Sequence, residues 1–146
     1  MKFFLILDKE KEQSVTVVCD RVTPTVAKIQ ALCQGVTENE NMLYGYTEGE
    51  VVPLELADVT CFFTKEGKVF ASVGDKEYVT KLRINKVLEL VDDSFVKINQ
   101  GCVANASHIQ KFGVSLGGAL KVVFKNGYCD YVSRRELPNI KRRFGL

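Results

Sequence analysis

Leu120-Lys121-Val122-Val123-Phe124-Lys125, Asn126-Gly127 and Tyr128-Cys129-Asp130-Tyr131-Val132 follow one another without a break, and this stretch decides the fold. Two β-forming runs flank Asn-Gly, the strongest short hairpin signal in the chain. Ser133-Arg134-Arg135-Glu136 comes next and matches a capping box, in which the Ser and Glu side chains each satisfy a backbone N–H of the other. The match predicts a terminal helix with Leu137, Ile140 and Phe144 inward. Pro138 lacks a backbone donor and offers a second start, with the helix beginning at Pro138 and Arg134-Arg135 on a preceding turn.

The same grammar extends towards the N-terminus. Phe95–Ile98 and His108–Val114 read as strands. Ile84, Val87, Leu88 and Val91 recur at helical spacing and stop at Asp92-Asp93. Leu43–Tyr46 and Val51–Leu54 bracket Thr47-Glu48-Gly49-Glu50. Val59–Phe63 and Val69–Val73 bracket Lys65-Glu66-Gly67-Lys68, where Gly67 supplies the positive φ of a tight turn. Tyr78–Lys81 follows Gly74-Asp75. In front, Phe3–Leu7 and Val15–Cys19 are β-forming runs. A helix then opens with Thr23 as N-cap and Pro24 in its first turn, carries Val26, Ile29, Leu32 and Cys33 on one face, and stops at Gly35. Polar Thr37-Glu38-Asn39-Glu40-Asn41 reads as a boundary. The expectation is an α+β chain, mainly antiparallel β with short helices. It has a β-β-α extension over 1–41 and a larger domain over 42–146.

Composition narrows the function. The 146 residues are 46% apolar and 26% charged, a globular balance, and no apolar run approaches the ~18 residues of a bilayer span. Phe3–Leu7 is too short for a signal-peptide core, so a cytoplasmic location is expected. Five cysteines (Cys19, Cys33, Cys61, Cys102, Cys129), none spaced C-x-x-C, read as free thiols. With His108 the only histidine, neither a zinc site nor a base-activated nucleophile has the residues it needs. Gly117-Gly118 has no Lys-Ser/Thr behind it, and Asp92-Asp93 is a helix-ending turn. No enzyme, cofactor, metal or small-molecule substrate is expected.

Charge points elsewhere. Residues 1–60 carry 5 Lys/Arg against 10 Asp/Glu, whereas residues 95–146 carry 9 against 2. A basic half is the electrostatic footprint of a polyanion partner. Lys97, Asn99 and Gln100 sit at a strand exit, and amides can pair bidentately with adenine. Arg134 and Arg135 stand where a helix dipole disfavours cations, as if held out for an external anion or base edge. Lys141, Arg142 and Arg143 suit a helix C-terminus and need no further role. Two alternatives stay open. One is an RNA-binding β-module stacking bases on Phe62, Phe63, Tyr128 or Tyr131. The other is an interaction module whose basic half meets an acidic protein.

From Leu43 to the C-terminus the chain resembles the LytTR DNA-binding domain of bacterial transcription regulators. The blocks that carry the resemblance are Leu43-Tyr44-Gly45-Tyr46, Asp58-Val59 with Phe62-Phe63, and Lys81-Leu82-Arg83-Ile84 with Leu88. Phe95 through Asn105 with Ile109, and Leu120-Lys121-Val122 through Ser133-Arg134-Arg135, complete it. The resemblance implies an elongated set of β-sheets that grips double-stranded DNA by loops in the major grooves. It implies base contacts from Asn99, Gln100 and Arg134 with Arg135, and a further contact from the Lys65–Lys68 loop. Lys97, Lys121, Lys125 and Arg142 would hold phosphates. Asn99-Gln100-Gly101 stands where family members usually carry a basic or His residue with a Ser, and Glu66 puts an acid in the first loop. The resemblance further implies a homodimer on repeated half-sites. Residues 1–41 are too short for a receiver domain, which implies control by abundance or by a restraining membrane protein.

Overall fold

A computed structural model describes residues 15–33 and 42–146, and the chain divides between Asn39 and Glu40 into two units. The expected strand Phe3–Leu7, the Gly35 stop and the polar stretch Thr37–Asn41 lie outside the described residues. In the first unit, α1 runs Pro24–Cys33. Thr23 caps it, its Oγ1 accepting from Val26 N–H at 3.3 Å and its carbonyl from Ala27 N–H at 3.0 Å. Val26 and Ile29 are half-buried, whereas Leu32 and Cys33 are exposed. Val15–Cys19 is exposed chain and not the expected strand. Its valines favour extended backbone, but a strand exists only through a ladder to a neighbour, and no described segment pairs with it.

The second unit holds β1 (Met42–Thr47), β2 (Glu50–Glu55), β3 (Val59–Lys65), β4 (Lys68–Val73), β5 (Lys76–Thr80), β6 (Phe95–Asn99), β7 (Cys102–Asn105), β8 (Ile109–Val114), β9 (Leu120–Phe124) and β10 (Cys129–Tyr131). Helix α2 (Ile84–Leu90) joins β5 to β6, and α3 (Leu137–Phe144) ends the chain. All pairing is antiparallel. A seven-stranded sheet in the order β2-β1-β5-β4-β3-β7-β6 lies with a three-stranded sheet β10-β9-β8.

Turn chemistry fixes the hairpins. Glu66 (φ 52°) and Gly67 (φ 74°) both adopt positive φ between Lys65 and Lys68, the primed geometry that matches strand twist. The Asn126-Gly127 hairpin forms as expected. Gly127 N–H closes onto the Phe124 carbonyl at 2.9 Å and Gly127 takes φ 89°. Gly45 is required for a different reason: a Cβ there would lie 2.5 Å from the Tyr78 Cβ, so only glycine lets β1 approach β5.

The larger sheet is covered on both faces, which is why β3 is buried at five successive positions instead of alternating. On one face Ile84 and Val87 of α2 pack with Phe62, Val69, Ala71, Phe95 and Val103. On the other, Leu120, Val122, Phe124 and Ile140 pack on Cys61, Phe63, Val96, Ile98, Cys102 and Ala104. Phe63 stacks between Phe70 (5.6 Å) and Tyr128 (5.1 Å), bonding the two sheets through aromatic contact. Strand β7 is not among the strands that the sequence pattern predicts. It has four residues, all buried, and ends on Asn105. Asn105 reads as a turn residue, but here its Nδ2 donates to the Val59 carbonyl at 3.0 Å in the core.

Candidate nucleic-acid interface

Antiparallel connectivity brings particular turns to the same end of the larger sheet. Lys65 pairs with Lys68 at the close of β3–β4, Val69 with Thr80 at the end of β5, and Asn99 with Cys102 at the β6–β7 turn. The β3–β4 hairpin and the β6–β7 turn are tied together, Thr64 N–H donating to the Gly101 carbonyl at 2.8 Å. Lys81 and Arg83, which follow β5, are exposed at this end too.

The smaller sheet adds its own turn here. Val132 N–H donates to the Leu120 carbonyl at 2.8 Å, and Ser133 N–H to the Ile98 carbonyl at 2.9 Å. The Arg134-Arg135 segment leaves this junction. Of the two starts the sequence allows, the structure adopts the later one. Residues 134–136 form a turn and α3 begins at Leu137 with Pro138 in its first turn. Ser133 does half of the expected capping box, its Oγ accepting from Glu136 N–H at 3.3 Å. The reciprocal half is absent because the Ser133 N–H is already committed to β6. Arg134 and Arg135 are both exposed, and Glu136 is half-buried.

One end of the second unit therefore collects Lys65, Lys68, Asn99, Gln100, Lys121, Arg134 and Arg135, with Lys81 and Arg83 beside them. Lys97 stands on β6, one bulge short of the turn, and Lys121 pairs with Tyr131. Strands about 4.8 Å apart put the β3–β4 and β6–β7 tips roughly 10 Å from each other. That spacing suits a major groove about 12 Å wide. Lys65 leans back over the Phe70 ring, its Nζ 3.9 Å from Glu77 Oε2. Both groups are exposed, so this pairing is weak and exchangeable. Asn99 is half-buried and its amide is engaged internally, while Gln100 beside it is exposed.

Two of the expected contacts lie elsewhere. Lys125 sits at the opposite end, its Nζ donating to the Ser107 carbonyl at 2.8 Å and its N–H to the His108 carbonyl at 3.0 Å. Next to it Asn126 Nδ2 reaches Ser72 Oγ at 3.0 Å and the Gly74 carbonyl at 2.9 Å. Arg142 lies in the last turn of α3, which runs away from Arg134 until Arg143 donates to the Asp93 carbonyl. Sequence position alone cannot show this, because each strand reversal swaps the end at which the next turn falls. The placement of Lys81 and Arg83 at this end is hidden from sequence position for the same reason. They read as a helix approach until β5 is paired beside β4.

The Cys102 thiol and the Tyr128 phenol are held in their neutral forms. The hydrogen bond of the Cys102 thiol with Cys61 and then burial push that thiol well up, and burial pushes the Tyr128 phenol up. Phe62 is fully buried, Phe63 nearly so, and Tyr128 stacks inward, which leaves Tyr131 as the one exposed ring of the four considered for base stacking. A single-stranded RNA platform is thereby disfavoured.

The LytTr DNA-binding domain family model matches residues 49–145. The chain belongs to this family. A LytTr domain binds DNA, and the sequence resemblance is borne out together with the mainly antiparallel β fold. A solved LytTr DNA-binding domain from Bacillus cereus superposes with TM-score 0.68 at 17% identity, covering 73% of this chain and 98% of its own. An uncharacterized HTH-type transcriptional regulator of Staphylococcus aureus strain MSSA476 is 24% identical over 149 residues, spanning 100% of this chain and 99% of its own. A counterpart in strain NCTC 8325 / PS 47 is 24% identical over 120 residues, covering 81% and 82%. Those names carry a helix-turn-helix label, yet in this LytTr domain each helix is flanked by strands or ends the chain. Among the described residues no helix is long and apolar enough to cross a membrane.

Proposed function

We propose that this LytTr chain is a sequence-specific transcription regulator that reads double-stranded DNA in the major groove through the joined turns at one end of its sheets. Gln100 and Arg134 read base edges, Arg135 stands beside Arg134, and Lys68, Lys81, Arg83, Lys97 and Lys121 hold phosphates. The observation that carries the reading is the junction at Ile98–Asn99 and Tyr131–Ser133. It ties the turn that carries Gln100 to the segment that leads into Arg134 on one pleated support, which supports the reading because base-edge recognition requires a fixed mounting. Action as a homodimer on repeated half-sites, in the cytoplasm, belongs to the same proposal. So does restraint by a membrane protein, for which residues 1–41 are the candidate receiver.

Selection of bound sequences from a random duplex pool defines the operator. Titration of that operator against Arg134→Ala is expected to show a loss of about 1–3 kcal/mol with relaxed choice at one position. An unchanged titration refutes the assignment. Stronger retention of single-stranded RNA than of the selected duplex would favour the RNA reading instead.

A further inference from the structure

We infer that Asn99 is a positioning residue whose carboxamide locks the Arg134-Arg135 turn to the Gln100 turn, so that the base choice of Arg134 depends on a side chain that does not itself read a base. The inference rests on the interface reading above and deepens it.

The lock is built from both ends of one amide. Oδ1 accepts from Gly101 N–H at 2.8 Å, closing the β6–β7 turn as an Asx turn. Nδ2 donates to the Tyr131 carbonyl at 2.9 Å, crossing to the other sheet. A second crosslink lies beside it, Ser133 N–H to the Ile98 carbonyl at 2.9 Å. Between the two, Val132 is buried in the core shared by both sheets. Residues 131–133 are therefore held at three successive positions, and Arg134 is the next residue.

The β6 strand is shaped for this. Its register shifts between Lys97 and Asn99, so Ile98 is the extra residue of a bulge. A bulge re-aims the side chains beyond it, which turns Asn99 across towards Tyr131. A carboxamide supplies an acceptor and a donor in one fixed plane. Aspartate keeps the acceptor for Gly101 and loses the donor to Tyr131; alanine loses both. Bidentate reading of adenine needs the same Oδ1 and Nδ2 aimed together at one base edge. With each aimed at a different backbone group, Asn99 is withdrawn from that task and the adjacent, exposed Gln100 is left to it.

The test is a double-mutant cycle read on a panel of duplexes in which each base pair of the selected operator is varied in turn. Arg134→Ala first identifies the positions that Arg134 discriminates. If that variant is silent, the interface reading fails, separately from the present inference. Given those positions, Asn99→Ala is expected to lower discrimination there by about tenfold. Asn99→Ala combined with Arg134→Ala should be no worse at those positions than Arg134→Ala alone, and the salt slope should stay unchanged. Amide exchange at Ser133 should accelerate in step. Should Asn99→Ala fail to fold, Asn99→Asp retains the Gly101 turn and breaks only the crosslink. Its added charge weakens all duplexes alike and leaves the panel ratios readable. Loss of discrimination at a base pair of its own, with the Arg134 positions intact, would make Asn99 a reader and overturn the inference. A panel identical to wild type would overturn it too.

Discussion

The two ends of the same sheets use the same residue types in opposite ways. At the end that carries Gln100 and Arg134, Lys65, Lys68, Lys81, Arg83, Arg134 and Arg135 are exposed, Lys97 and Lys121 are half-buried, and the amide crosslink of Asn99 serves to hold the Arg134 turn in place. At the other end, Lys125 donates to Ser107, Asn126 to Ser72 and Gly74, Arg143 to Asp93, and His108 donates its Nε2–H to the Ala57 carbonyl at 2.7 Å. A lysine, an amide, an arginine and a histidine there close the fold by satisfying carbonyls that the strands leave open. Residue type therefore does not distinguish a nucleic-acid contact from a structural tie. The difference is whether the donor already has an internal acceptor, and that depends on which strand lies next to which.

The comparison can be broken most severely at the joint that both ends share. Phe124 is fully buried where the smaller sheet packs on the larger, so Phe124→Ala is expected to cost about 3–5 kcal/mol in urea unfolding. Specific duplex binding should be lost along with the register between the ends. A smaller effect separates the ends. Asn126→Ala removes the donor to Ser72 and Gly74 and the acceptor for Tyr128 N–H at 3.1 Å. It should lower stability by about 1–3 kcal/mol. Below the unfolding temperature its operator affinity should match that of the unaltered protein within about twofold, and a marked affinity loss would place the interface at the wrong end. The finest discrimination comes from two lysines. Lys68→Ala should flatten the dependence of log affinity on log salt by about one unit. Lys125→Ala should leave that slope alone and act on stability only; equal slopes for both variants would erase the distinction between the ends.

Local reading carried a long way. The hairpins around Gly49, Gly67 and Asn126-Gly127, the helix periodicity of Ile84 to Val91 and the Thr23 cap all depend on neighbours in sequence, and all are present. It went astray where an element depends on a distant partner. Val15–Cys19 has the side chains of a strand and no described ladder. β7 is a strand because β3 and β6 flank it, despite its brevity and its terminal Asn105. Ser133 and Glu136 form half a capping box because a carbonyl 35 residues earlier, that of Ile98, takes the Ser133 N–H. For the candidate site, the sequence marked Gln100, Arg134 and Arg135 by their unusual placement at turns. It also marked Lys125 and Arg142, which the fold sends to the far end, and passed over Lys81 and Arg83.

The sequence by itself determined the family, the mainly antiparallel β character and the basic surplus of the C-terminal half. These rest on turn residues, periodicity and charge counts, which are local or additive quantities. Only the tertiary structure decided which cations stand together and which amide is a clamp. Those are properties of strand order and hydrogen-bond partnership, and a linear pattern does not contain the closing of Asn99 onto Tyr131.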